Sequence, residues 1–118
     1  MMVLNSLETR NAIQRAIKNV TGINASYRKN EGTTYPRSTF FEVVRQPVTA
    51  SNRRYARLIT YQVSIFSKSD MATKMDLLEK ALGEFVGCFV ENWREELVDE
   101  KSQGILHYAI DFEVFVDG

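Results

Sequence analysis

The last stretch of the chain, GILHYAIDFEVFVDG, is the feature that most constrains the fold. From Leu106 onward every second residue is apolar, and the residues between them are mostly polar. Strict alternation is typical of a β-strand with one buried face and one face that meets water or a partner. The apolar set is Leu106, Tyr108, Ile110, Phe112, Val114 and Val116, and the other set is His107, Ala109, Asp111, Glu113, Phe115 and Asp117.

Two helices are predicted upstream of this strand. Asn5 followed by Glu8 has the pattern of a capping box, and an apolar stripe at helical spacing then predicts a helix over 6–21 that Gly22 ends. The second helix carries a stripe from Met71 to Val86. Ser69 or Asp70 can cap its start, Gly87 is a candidate stop, and CFVENW can extend it.

Three further strands are predicted from alternation and from β-branched and aromatic content, over 23–29, 39–46 and 55–68. The segments 30–39 and 47–54 have the composition of loops, and Pro47 is expected to end the second of these strands. The segment 94–104 is a short strand or a turn-rich connection.

The resulting order is α-β-β-β-α-(β)-β, which predicts an α+β fold. A chain of 118 residues fits a single domain, taken here as 1–118, with one core. Neighbouring strands joined by short loops should pair antiparallel, giving a mainly antiparallel sheet of about four to five strands. Two helices can cover one face of such a sheet, so the other face must meet water or another chain.

The charges are unevenly distributed along a neutral chain. Residues 1–60 contain ten Lys or Arg and three Asp or Glu, whereas residues 61–118 contain five and twelve. If the fold separates these charges, complementary surfaces would suit head-to-tail stacking of copies. The alternative is that the charges mix over an ordinary solvated surface.

Groups for catalysis are scarce. His107 is the only histidine, and Asp111 lies on the same side of its strand but about 13 Å away along it. Cys88 lies among apolar residues, where a thiol is usually a small buried side chain. One His and one Cys do not make a typical zinc set, and no phosphate-binding loop is present. We expect no enzyme activity, no metal and no cofactor.

No secretion signal and no apolar run long enough for a bilayer are recognised, so we expect a soluble protein without a membrane partner. One cysteine gives no sign of an oxidising compartment.

Arginines flank a tyrosine in SNRRYAR, where Arg53, Arg54 and Arg57 surround Tyr55. Three interpretations remain open: protection of a strand edge, contact with a subunit or partner, and direct binding of nucleic acid. A neutral chain makes the last the weakest, because dedicated nucleic-acid binders usually carry a basic excess.

Four stretches together resemble the tail terminator (tail completion) proteins of long-tailed bacteriophages and prophages of Gram-positive bacteria. They are SYRKN leading through Pro36 to Phe40-Phe41, RRYARLITYQVSIFSKSD, MATKMDLLEKALGEF, and GILHYAIDFEVFV. The likeness covers most of the chain, and each stretch is a fold pattern rather than a reactive signature.

The resemblance implies a structural protein of the virion that is assembled in the host cytoplasm. Such proteins form a ring, typically a hexamer, at the head-proximal end of the tail tube. The ring stops polymerisation of the major tail tube protein and offers a docking surface to head-completion or connector proteins, while DNA passes through its lumen. Two alternatives are a head-completion or connector ring protein and a small dimeric cellular binding module.

This implied function gives the candidate site residues their expected roles. Arg53, Arg54, Tyr55 and Arg57 are predicted to contact neighbouring subunits or the tube. The polar face of the last strand is predicted to face the lumen or a neighbouring subunit, through His107, Asp111, Glu113 and Asp117. Carboxylates there would repel passing phosphates, because like charges repel. The alternative is a plain solvated face.

Overall fold

The computed structural model describes residues 4–28, 34–50, 53–85, 88–96 and 104–117, with the backbone alone at 48–50 and 53–56. Two helices, α1 (Ser6–Thr21) and α2 (Ala72–Leu82), accompany six strands. The strands are β1 (Ala25–Tyr27), β2 (Arg37–Ala50), β3 (Arg53–Ser67), β4 (Phe89–Val90), β5 (Arg94–Glu96) and β6 (Leu106–Asp117). The predicted α+β class is confirmed.

One sheet contains all six strands in the order β1-β2-β3-β6-β4, with β5 also paired to β6. All pairs are antiparallel except β1 with β2. The hairpin of β2 and β3 dominates the shape, since a strand of 14 residues spans roughly 45 Å. The molecule measures 53 × 24 × 23 Å, so the hairpin runs along most of its length.

The predicted start and end of α1 are both observed. The side chain of Asn5 accepts a hydrogen bond from the Glu8 amide, and the Glu8 carboxylate accepts one from the Asn5 amide. Gly22 follows the helix with φ of 78°, a left-handed conformation that glycine adopts without steric cost. At α2 the N-cap residue is Met71, which makes no side-chain capping hydrogen bond, so the predicted N-cap at Ser69 or Asp70 was wrong. The Asp70 carboxylate, one residue earlier, accepts a hydrogen bond from the Ala72 amide.

Both helices pack on the same face of the sheet, as the alternation in β6 predicted. The even-numbered residues from Tyr108 to Val116 are buried, together with the alternate residues Ile59–Ile65 of β3. They contact apolar residues of the helices to form one core, whose helical members are Ile13, Ile17, Met75, Leu78 and Leu82. The other face of the sheet carries no helix among the residues described.

The hairpin corrects the prediction of a loop over 47–54. β2 continues to Ala50 and β3 starts at Arg53, so Pro47 lies within β2 opposite Arg57. β1 covers only Ser38–Phe40 of β2, and the rest of β2 is therefore at the edge of the sheet. At an edge a proline can leave its missing N–H on the outer side, where no ladder bond is lost.

Two further features differ from the expectations or decide between them: the pairing of β1 and the segment after α2. β1 pairs parallel to β2, and the nine residues between the two strands exceed the short loop on which the antiparallel expectation depends. The CFVENW stretch does not extend α2, since the helix ends at Leu82 and Phe89–Val90 form β4 against β6. Val86 and Gly87, predicted to close the helix, lie outside the described residues.

Candidate functional site: the helix-free face of the sheet

The face of the sheet opposite the helices is a mixed surface of aromatic, hydroxyl and charged side chains. We call it the helix-free face. It is formed by Thr39, Phe41, Val44, Gln62, Ser64 and Phe66 of β2 and β3, by His107, Asp111, Glu113 and Phe115 of β6, and by residues of β4 and β5. The sequence prediction that His107, Asp111 and Glu113 share one face agrees with this register.

A stack of planar groups occupies one end of this face. The rings of Phe66 and His107 lie 4.4 Å apart between centroids and are nearly parallel, at 16°. The guanidinium of Arg37, on β2, lies 5.1 Å from the ring centroid of Phe66, on β3. Cation–aromatic and aromatic contacts of this kind hold the three strands together at the surface.

His107 is half-buried in this stack. Burial lowers the pKa of His107 below its ordinary value, the charge of Arg94 acts in the same direction, and Glu96 opposes both. Its Nε2 atom is buried and has no hydrogen-bond partner among the described residues. The lowered pKa favours the neutral form of His107, whose ring contributes aromatic surface to the stack.

A shallow depression of about 510 Å³ adjoins the stack. Its lining is a mixture of hydroxyl, amide, aromatic and charged side chains: Arg28, Thr39, Phe41, Glu42, Gln62, Ser64, Phe66 and His107. Thr39 is buried there with its hydroxyl unpartnered among the described residues. The depression supplies hydrogen-bonding groups and aromatic rings, which suit contact with a protein surface.

Arg94 of β5 reaches Asp111 on this face. Arg94 Nη1 donates a hydrogen bond to Asp111 Oδ2 at 3.0 Å, and its Nε donates to Glu96. The three side chains are partly exposed, so the pairs contribute little to stability. Their effect is to neutralise part of the predicted acidic surface. Arg94 was not predicted, since only the pairing of β5 with β6 brings it to Asp111.

Glu113 and Asp117 carry the acidic character further along β6. Glu113 is half-buried between Thr60 of β3 and Phe89 of β4. Asp117 is exposed at the end of the strand, where its amide donates a hydrogen bond to the Leu4 carbonyl. Neither carboxylate forms an ion pair among the described residues. Both remain available as negative charges.

The predicted arginine cluster lies at the start of β3, and Arg57 is its one member whose side chain is described. Arg53, Arg54 and Tyr55 begin β3 beside the hairpin turn, and their side chains lie outside the described residues. Arg57 is half-buried and pairs with Val116 and Pro47, on the same side of the sheet as Ile59. Arg57 is thus not on the helix-free face, and the structure does not bring it to His107, Asp111 or Glu113.

A second ionic cluster, missed in the sequence, ties α1 to the edge strand β2. Glu42 accepts hydrogen bonds from Arg45 at 2.6 Å and from Arg10 at 3.3 Å, and Arg10 also lies 4.2 Å from the ring centroid of Tyr27. Burial alone would raise the pKa of Glu42, but the hydrogen bonds and charges of the two arginines outweigh it and lower that pKa. The cluster fixes the helix over the edge of the sheet.

Reactive groups are sparse in the described part of the chain. Burial raises the pKa of the Cys88 thiol to about 11, which keeps it protonated at neutral pH. No three His, Cys, Asp or Glu side chains come together as a possible metal site within those same residues. Neither α1 nor α2 is long and apolar enough to cross a bilayer.

The fold is shared with a chain of a known particle. A solved structure titled "Virion of native gene transfer agent (GTA) particle" contains a chain that matches with a TM-score of 0.59 and 12% identity. The match covers 92% of this chain and 94% of that chain. No model of a protein family matches the sequence, and no curated protein is similar enough to match. At this identity the likeness is one of fold.

Proposed function

We propose that this chain is a structural protein of a phage-like virion, and that it acts there as a tail terminator. In this function it forms a ring on the head-proximal end of the tail tube. The resemblance of its sequence to tail terminator proteins implies that the ring is a hexamer. The ring stops polymerisation of the tube protein and receives the head-completion protein. DNA passes through its lumen.

The observation that carries the proposal is the end-to-end fold likeness to a chain of a virion particle, 92% of one chain and 94% of the other. Because neither chain has a large part left over, the likeness concerns the whole domain rather than a common supersecondary motif. It supports a structural protein of a phage-like particle. The resemblance of four sequence stretches to tail terminators supports the narrower assignment.

The one-sided sheet suits a subunit of a ring. Both helices cover one face, and on the helix-free face Thr39 Oγ1, His107 Nε2 and Asp111 Oδ1 have no hydrogen-bond partner among the described residues. Such groups are satisfied when a neighbouring subunit or ordered water meets them. The unpaired carboxylates Glu113 and Asp117 give a lumen wall that repels phosphate, and the pairing of Asp111 with Arg94 weakens that repulsion locally.

The β2–β3 hairpin suits contact with the tube. Its strands run along most of the length of the molecule, and Arg53 and Arg54 lie at the start of β3, at one end of the hairpin. A projecting hairpin can reach a neighbouring protein while the core of the subunit stays unchanged.

The test is electron microscopy of particles that lack this gene, complemented with variants of it. We expect overlong tubes without heads in the absence of the gene, and tails of normal length with the wild-type gene. Replacing both Arg53 and Arg54 by alanine should restore tails poorly while leaving the melting temperature of the purified protein within about 2 °C of wild type, as is usual for surface changes.

Two other outcomes would contradict the proposal in distinguishable ways. Tails of normal length beside unattached filled heads would indicate a head-completion or connector protein. Normal particles, together with a stable dimer of the purified protein, would indicate a small binding module without a function in assembly.

A further inference from the structure

The outer edge of β2 exposes apolar side chains. Beyond Phe40, β2 has no strand neighbour other than β3 among the described residues. At the register shift after Glu42, Val43 is 57% exposed and Val44 is 44% exposed. The register shifts and Pro47 discourage a regular backbone ladder with another strand. This edge therefore offers side chains for contact.

The opposite edge of the same sheet has a matching apolar side chain. Phe89 of β4 is 66% exposed and lies opposite Glu113 of β6. Beside it is a depression of about 210 Å³, several times the ~30 Å³ that a water molecule occupies. It is lined by Thr60, Phe89, Val90, Glu91, Asp111, Phe112 and Glu113. An aliphatic side chain of a partner fits such an opening.

The fold separates the charges onto these two edges. The described residues of β1, β2 and the segments beside them, 25–28 and 34–50, contain three Arg and one Glu. Those of β4, β5 and β6, 88–96 and 104–117, contain one Arg and six Asp or Glu. Because β3 stands between β2 and β6, the basic and acidic groups lie at opposite sides of the sheet.

We infer that copies of this chain join head to tail through these edges, with Val43 and Val44 of one copy packed against Phe89 of the next. The inference rests on the proposed function, since it names the subunit contact of the ring. The basic side of one sheet then faces the acidic side of its neighbour, which fixes orientation and register. A two-fold dimer would instead place like charges together.

Contact between two different surfaces is heterologous, so an open chain of copies keeps one free edge at each of its two ends until it closes. Repetition by a rotation that closes gives a ring of fixed size, and repetition by any other operation gives a filament. The contact thus accounts for a ring without a second type of interface.

Cysteine cross-linking of the purified protein tests the contact. In a Cys88→Ser background, the variant with both Val44→Cys and Phe89→Cys should give a ladder of cross-linked oligomers ending in one closed species. A cross-link within one copy is excluded, because three strand spacings separate the two edges by roughly 14 Å, beyond the ~7 Å limit between Cα atoms of a disulfide.

The two single-cysteine variants are the matched controls, and both should remain monomeric on denaturing gels. If a single-cysteine variant gave cross-linked dimers in the same yield as the double-cysteine variant, the head-to-tail arrangement would be overturned. A double variant that keeps its circular dichroism spectrum but gives no oligomers at millimolar concentration would overturn the contact itself.

A charge in the apolar contact gives a second readout. The charge is introduced at Val43 of the double-cysteine protein, which leaves both cysteines of the cross-link in place. Val43→Glu should raise the protein concentration needed for half-maximal cross-linking by about tenfold, as expected for a central interface residue. Leu77→Glu, at an α2 residue that is 52% exposed, should leave it unchanged. Equal effects of the two changes would contradict the inference.

The contact and the proposed function can fail separately. A ladder from the purified protein, with normal tails in particles lacking the gene, would keep the contact and reject the tail terminator. Overlong tails without any ladder would keep the terminator and reject this contact.

Discussion

Replacing Ile110 by alanine should destabilise the protein strongly, because only the helix-covered face of β6 belongs to the core. Ile110 is fully buried and pairs with Val63 at the centre of the sheet. The change removes three buried carbons, about 2.4 kcal/mol at ~0.8 kcal/mol each. The cavity that remains brings the expected loss in free energy of unfolding to about 3 kcal/mol, within the usual range for such changes.

Thermal and urea unfolding measure this loss. For 118 residues the entropy of unfolding is about 0.25 kcal/mol/K, so 3 kcal/mol lowers the melting temperature by about 12 °C. The control is Gln62→Thr, one residue away in the register but on the helix-free face, which should cost under ~0.5 kcal/mol. Similar losses in the two variants would refute the one-sided core.

Two further predictions concern His107 and the start of α1. Because burial lowers the pKa of His107, the unfolded chain binds more protons as the pH falls below about 6.5, so the free energy of unfolding is highest above that pH and decreases below it. Urea midpoints at pH 7.5 and 5.5 should differ more in wild type than in His107→Gln, and equal differences would contradict this. Asn5→Ala removes the capping acceptor of the Glu8 amide and should cost about 1 kcal/mol in urea unfolding. Asn11→Ala, exposed in the middle of the helix, is its control and should cost nothing measurable.

The periodicity of the sequence was sufficient for the one-sided design of the sheet. Alternation in β6 assigned its described residues to the correct face, because neighbouring side chains of a strand point to opposite sides. The capping box of α1 was also readable, since all its groups lie within four residues. Local patterns of this kind need no knowledge of distant contacts.

The edges of the sheet were not readable in the same way. Pro47 and the polar residues after it have the composition of a loop, yet β2 continues through them because β3 pairs with this segment. Pro47 is tolerated there because no described strand pairs with the outer edge of β2 at this point. The sequence allows α2 to stop at Gly87 or to continue through CFVENW, because two apolar residues have no period, and the pairing of Phe89–Val90 with β6 decided their conformation.

The candidate site shows the same division. The sequence placed His107, Asp111 and Glu113 on one face, but it could not place Arg94 beside Asp111 or Phe66 beside His107, since those pairs come from strands 17 and 41 residues away. What the sequence by itself determined was which side of each strand is buried and where α1 begins. Only the tertiary structure decided strand order, and with it the placement of basic and acidic residues at opposite edges, because pairing between distant strands depends on burial summed over the whole sheet rather than on any local pattern.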